Sequence, residues 1–151
     1  MNMESLAGLE GREVALTEWT EVSQERIDLF AEATEDRQWI HIDQDRAACE
    51  SPYGSTIAHG FLTLSMLSYL SRDVLRVEGV RMRVNYGLNR VRFPSAVRAG
   101  SRIRGRFVLR TVKGFASGTA SGVDLTLHVT VELEASEKPC CVAEWIVRYY
   151  R

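Results

Sequence analysis

Between Gly60 and Leu75 the chain carries Phe61, Leu62, Leu64, Met66, Leu67, Tyr69, Leu70, Val74 and Leu75, broken mainly by the small hydroxyls Thr63, Ser65, Ser68 and Ser71. At about 3.6 residues per turn these side chains surround almost the whole circumference of a helix. A helix apolar on every side is predicted to be buried, so something must wrap it. The chain has 151 residues, the length of one ordinary domain. The wrapping must therefore come from the same domain, taken here as residues 1–151.

The second half supplies it. Val123, Leu125, Leu127, Val129, Val131 and Leu133 alternate strictly with Asp124, Thr126, His128, Thr130, Glu132 and Glu134, the period of a half-buried strand. Ile103, Phe107 and Leu109 alternate in the same way with arginines. Met82, Val84 and Tyr86 alternate with Arg81, Arg83 and Asn85, which predicts those three apolar residues inside and the arginines in solvent. The phase slips near Gly87, so a bulge is expected there. With Cys141 to Tyr150 as the last strand and Arg12 to Thr20 as the first, about five antiparallel strands result. The expected fold is α+β, a hot-dog: an antiparallel sheet wrapped around one long helix running to about Leu75. Ser23 is predicted to cap a helix to Thr34, and Asp43 a short helix to Glu50, with a loop from Glu35 to Ile42 between them.

Composition excludes several function classes. The net charge is −1, with 45% hydrophobic and 26% charged residues, so no basic excess draws in nucleic acid or an anionic membrane. No apolar stretch reaches the ~20 residues of a membrane helix, and no signal peptide is expected. Cys49, Cys140 and Cys141 have neither disulfide nor zinc spacing, and read as reduced packing residues of a cytoplasmic protein.

Two stretches offer chemistry. Thr34-Glu35-Asp36-Arg37-Gln38-Trp39-Ile40-His41 sets a carboxylate and an imidazole five residues apart in a loop. An Asp and a His flanking one water can polarise it and shuttle its protons. The plainer alternative is a solvated acid and a core histidine. In Ile57-Ala58-His59-Gly60-Phe61 a glycine opens the apolar helix, where free N–H groups can hold an oxyanion. The plainer alternative is close packing of helix and loop.

The order Asp36, His41, Asp43, then His59-Gly60, resembles the hydratase motif of the MaoC-like family, which includes (R)-specific enoyl-CoA hydratases and NodN-like proteins. Val91-Arg92-Phe93-Pro94 through Gly100 is similar to the family's strand, Phe-Pro and turn segment. The likeness runs from about Val22 to Gly105. It implies (R)-specific hydration of trans-2-enoyl thioesters, or the reverse dehydration of (R)-3-hydroxyacyl thioesters. Asp36 and His41 would activate the water and the N–H of Gly60 would face the thioester oxygen. Gln38, Trp39, Ser55 and His59 are candidate substrate contacts, with plainer structural readings for each. Many members have Asn-Pro where Gln38-Trp39 stands, so this loop lacks that stiffening. Asp43 reads as a helix cap and His128 as an exposed strand residue. The substrate would be an acyl-CoA or acyl-carrier thioester, with neither metal nor redox cofactor, and the implied assembly is a homodimer. Arg81, Arg83, Arg90, Arg92 and Arg98 are candidates for phosphate contact against a default of solvated strand faces.

Other readings stand beside this one. A hot-dog thioesterase would want its carboxylate on the long helix, where only Asp73 is available, near the far end. A non-catalytic acyl-binding module would not need both Asp36 and His41. A NodN-like role would keep the chemistry and change the acyl group.

Overall fold

The computed structural model describes residues 1–3 and 5–151. Six strands form one antiparallel sheet: β1 (Glu13–Leu16), β2 (Thr20–Glu21), β3 (Met82–Arg92), β4 (Arg102–Ser117), β5 (Ala120–Leu133) and β6 (Cys141–Tyr150). The order is β1-β4-β5-β6-β3, and the two-residue β2 also pairs with β4. The expected alternation is carried into burial. Leu125, Leu127, Val129 and Val131 of β5 are wholly buried, as are Ile103 and Phe107 of β4. Their polar neighbours form ion pairs across the outer face, including Arg104 with Glu132 and Arg148 with Asp124.

The helices lie on the inner face. α1 (Gln24–Thr34) begins at Ser23, whose hydroxyl accepts from the Arg26 N–H. α3 (Gln44–Glu50) begins at Asp43, whose carboxylate accepts from the Arg46 N–H. Between them the expected loop contains one further turn of helix, α2 (Trp39–Ile42).

The long helix differs from expectation in two ways. It is divided at Met66 into α4 (Gly60–Ser65) and α5 (Leu67–Ser71), and it ends before Leu75. It is also not buried all round. Leu62, Met66, Leu67 and Leu70 enter the core, while Phe61 is 69% exposed and Tyr69 is exposed. A second correction concerns β3. Its register shifts between Asn85 and Gly87 and again between Leu88 and Arg90, so the expected bulge is present. Its faces are the reverse of those predicted, however. Arg83 pairs with buried Tyr149 and lies inside, while Met82, Val84 and Tyr86 are exposed. β3 is an edge strand, so one side of it pairs with nothing among the described residues, and its apolar row is exposed beside β6. Cys140 and Cys141 pack in the core, but Cys49 is exposed on α3 and is no packing residue.

Candidate active site

The backbone brings the predicted residues together by local rules. α1 stops where Glu35 takes a left-handed conformation (φ 60°), which turns the chain back on itself at Asp36. α2 then lifts His41 inward, its N–H donating to the Gln38 carbonyl at 2.9 Å. Ile57 N–H donates to the Ile40 carbonyl at 3.0 Å, which ties the segment before α4 to α2.

His41 is buried, and its Nδ1–H donates to the Ile57 carbonyl at 2.6 Å. That bond sets the tautomer and leaves Nε2 as an acceptor lone pair. Burial pushes the imidazole pKa below its ordinary 6.5, with nearby His59 acting in the same direction. The Ile57 hydrogen bond and the Asp36 charge oppose the shift without cancelling it. His41 is therefore neutral at pH 7.

His59, also buried, stacks on His41 with centroids 3.7 Å apart and planes at 25°. Its Nε2–H donates to the Asp36 backbone carbonyl at 2.9 Å. One histidine thus holds the loop that carries Asp36 against the ring of His41. Asp36 itself is exposed. One donor atom from each of Asp36, His41 and His59 lies within 4.8 Å of the others. A single water can bridge acceptors at that separation with two ordinary hydrogen bonds.

The same trio is a possible ligand set for a metal ion. Its geometry is poor for that purpose. Near-parallel stacked rings direct their in-plane lone pairs side by side, and the planes cross far beyond the ~2 Å of a metal–nitrogen bond.

Gly60 opens α4, so its N–H has no acceptor within the helix and none elsewhere among the described residues. A Cβ at this position would stand 3.0 Å from the Phe93 ring. The glycine thus lets the phenylalanine of the Phe-Pro segment pack closely against the start of α4.

The remaining candidates lie at the edge of the site. Gln38 gives its backbone to His41, and its exposed side chain makes no hydrogen bond to Asp36 among the described residues. Trp39 lies under the Arg46 guanidinium at 4.3 Å, packed against α3. Ser55 donates to the neighbouring Thr56 carbonyl at 3.2 Å. Asp43 is a helix cap. Sequence reasoning missed Gln24. Its amide nitrogen donates to the His41 carbonyl at 2.7 Å, and its amide oxygen accepts from the Thr56 hydroxyl, so it staples α1 to both site segments. Nothing in a surface-helix glutamine signals that role.

Comparison with known proteins bears on this geometry. The family model for the MaoC like domain matches residues 6–132. The chain is 49% identical over 144 residues to the 3-hydroxyacyl-thioester dehydratase Z of Mycobacterium tuberculosis, covering 95% of this chain and 93% of the relative. It is 50% identical over 137 residues to Nodulation protein N of Rhizobium leguminosarum, covering 90% and 83%. Among solved structures, the (R)-hydratase from A. caviae involved in PHA biosynthesis superposes with a TM-score of 0.67 at 20% identity, covering 91% of this chain and 94% of that one. A monoamine oxidase regulatory protein from Archaeoglobus reaches 0.75 at 21% identity, covering 94% and 90%. These two support the fold, a hot-dog with its helix against an antiparallel sheet. The chain belongs to the MaoC-like domain family.

Proposed function

We propose that the protein is a lyase that adds water to trans-2-enoyl thioesters, or removes it from (R)-3-hydroxyacyl thioesters, with Asp36 and His41 as its catalytic residues. The observation that carries this reading is the convergence of the Asp36, His41 and His59 donor atoms within 4.8 Å, together with a His41 tautomer that leaves Nε2 free. The relative named 3-hydroxyacyl-thioester dehydratase Z supports the same substrate class.

In hydration, neutral His41 accepts a proton at Nε2 from a water shared with Asp36. The water oxygen bonds to C3 as the C2–C3 π electrons move toward the thioester carbonyl. The Gly60 N–H holds the enolate oxygen. A proton then passes from the Asp36–His41 pair to C2, so one water is consumed and H and OH arrive on one face. These steps draw on side-chain acid–base chemistry alone, and the thioester is presented by CoA or by a carrier protein. Cys140 and Cys141 are buried, and burial pushes their thiols up to about 12 and about 11, so they are inert packing groups; a cytoplasmic setting is part of this reading. No helix among the described residues is long and apolar enough to cross a membrane. The exposed apolar row of β3 supports a homodimer.

The test adds crotonyl-CoA and follows loss of the conjugated enoyl absorbance. Asp36→Asn and His41→Ala should each lower kcat by roughly 100-fold or more. Unchanged rates in both variants would reject the mechanism. Release of free thiol would favour a thioesterase instead.

A further inference from the structure

Gly60, Leu64, Ser68 and Ser71 follow one another at intervals of four, four and three residues, so they share a face along α4 and α5. Strand β3 runs past that face in the opposite direction. Phe93 lies on Gly60, Leu88 and Leu64 line one cavity, Ser68 and Asn85 hydrogen-bond at 3.2 Å, and Arg83 donates from Nη2 to the Ser71 hydroxyl at 2.5 Å. The cavity holds about 320 Å³. Its walls are apolar near the Gly60 end (Leu64, Leu67, Leu88) and polar beyond (Ser68, Asn85), with Trp145 beneath. At about 1.5 Å per residue, Ser68 lies about 12 Å and Ser71 about 16 Å from Gly60.

Two groups with unused capacity stand just outside the cavity lining, one step past Asn85 and Ser68 along the strand and the helix. The Arg83 guanidinium is half-buried, 5.1 Å over the Trp145 ring and 5.8 Å from the Tyr149 centroid. It meets no carboxylate among the described residues, although the other half-buried arginines of the sheet, Arg104, Arg106 and Arg148, all do. Tyr149, cross-strand partner of Arg83, is 1% exposed, and its hydroxyl has no hydrogen-bond partner among the described residues. A buried donor beside an unneutralised guanidinium is the chemistry of a carboxylate site.

We propose that the groove takes a medium-length acyl chain whose distal end carries a carboxylate, bound by Arg83 and Tyr149. Arg83 and Tyr149 are specificity-determining residues, remote from the reacting atoms. The inference rests on the hydratase reading, because Gly60 fixes where the thioester lies.

The experiment compares kcat/KM for trans-2-decenoyl-CoA with that for the CoA monothioester of trans-2-decenedioic acid, and repeats the pair with the octenoyl and dodecenoyl analogues. The expected result is a preference of about tenfold or more for the carboxylate at one of these lengths, in line with a charge-assisted hydrogen bond. Arg83→Gln and Tyr149→Phe should each reduce that ratio severalfold. The Tyr149→Phe variant removes only an unpartnered hydroxyl, so it keeps the test open if Arg83→Gln folds poorly. Equal rates at every length, or a preference for the methyl end, overturn the proposal, as does a preference that survives both variants. Hydration of crotonyl-CoA in the same assay separates these outcomes from failure of the hydratase reading. If no enoyl thioester at all is hydrated, that reading falls and this assignment falls with it.

Discussion

Burial keeps His41 neutral in the folded protein, and that state has consequences for both catalysis and stability. Its pKa lies below the 6.5 expected of an exposed histidine, with Asp36 and His59 as its charged or titratable neighbours. The unfolded chain therefore binds more protons than the folded one as pH falls below about 6.5. The contribution of neutral His41 is fully present above that pH and is lost on acidification toward the folded pKa. Thermal melts from pH 7.5 to 5 should show a falling midpoint that flattens in His41→Gln. With His41 as the base of the proposed mechanism, the acid limb of kcat/KM should lie below pH 6.5. A limb at or above 6.5 would remove His41 from the role of base. At this scale the sequence was partly legible. Asp36, His41 and Gly60 stand in a recognisable order, and a loop can bring them together. The tautomer was not legible, because it depends on the Ile57 carbonyl, which reaches His41 through folding. Arg83 was misread as a solvated strand residue, because alternation gives the period of a strand and not which face is inside.

Two glycines test how the elements meet. A methyl group at Gly60 would press on the Phe93 ring at 3.0 Å, but that ring is 40% exposed and able to swing aside. Gly60→Ala should therefore cost only about 1 kcal/mol in chemical denaturation. Adding Phe93→Ala should remove that cost, a coupling that independent sites would lack. Gly122 offers no such relief. Its Cβ would fall 1.9 Å from the Tyr149 carbonyl oxygen, where β5 and β6 pair. Gly122→Ala should lose about 3 kcal/mol or more and lower the melting midpoint by roughly 10 °C. A variant that melts with the wild type would mean that the two strands separate easily there. Strand positions were readable from period 2, and the β3 bulge from the phase slip at Gly87. The division of the helix at Met66 and its exposed side were not. An all-apolar circumference says that a surface must be covered, and a single chain need not be what covers it.

At the scale of the whole molecule, charge and apolarity are segregated on the sheet's outer side. Across β1, β4, β5 and β6, Arg102, Arg104, Arg106 and Arg148 pair with Glu134, Glu132, Glu13 and Asp124, a face suited to water. The edge formed by β1 and β2 carries Glu13 and Glu21. At the opposite edge, Met82, Val84 and Tyr86 stand exposed along β3, with Phe61 and Phe93 exposed nearby. Long apolar edges are rarely left open, because their unpaired backbone groups and side chains invite pairing. In the proposed homodimer, a second copy meeting β3 to β3 would satisfy both needs and extend the sheet. Such an interface should bury on the order of 1,200 to 2,000 Å² in total. Sedimentation should therefore return twice the chain mass at micromolar concentration. Tyr86→Glu should shift the population toward monomer. The new carboxylate would still have Arg148, whose guanidinium now lies 3.9 Å over the Tyr86 ring, so the fold should hold while the edge becomes charged. Circular dichroism of that variant should match the wild type. A wild type that sediments as a monomer, or a dimer indifferent to Tyr86→Glu, would move the interface away from this edge.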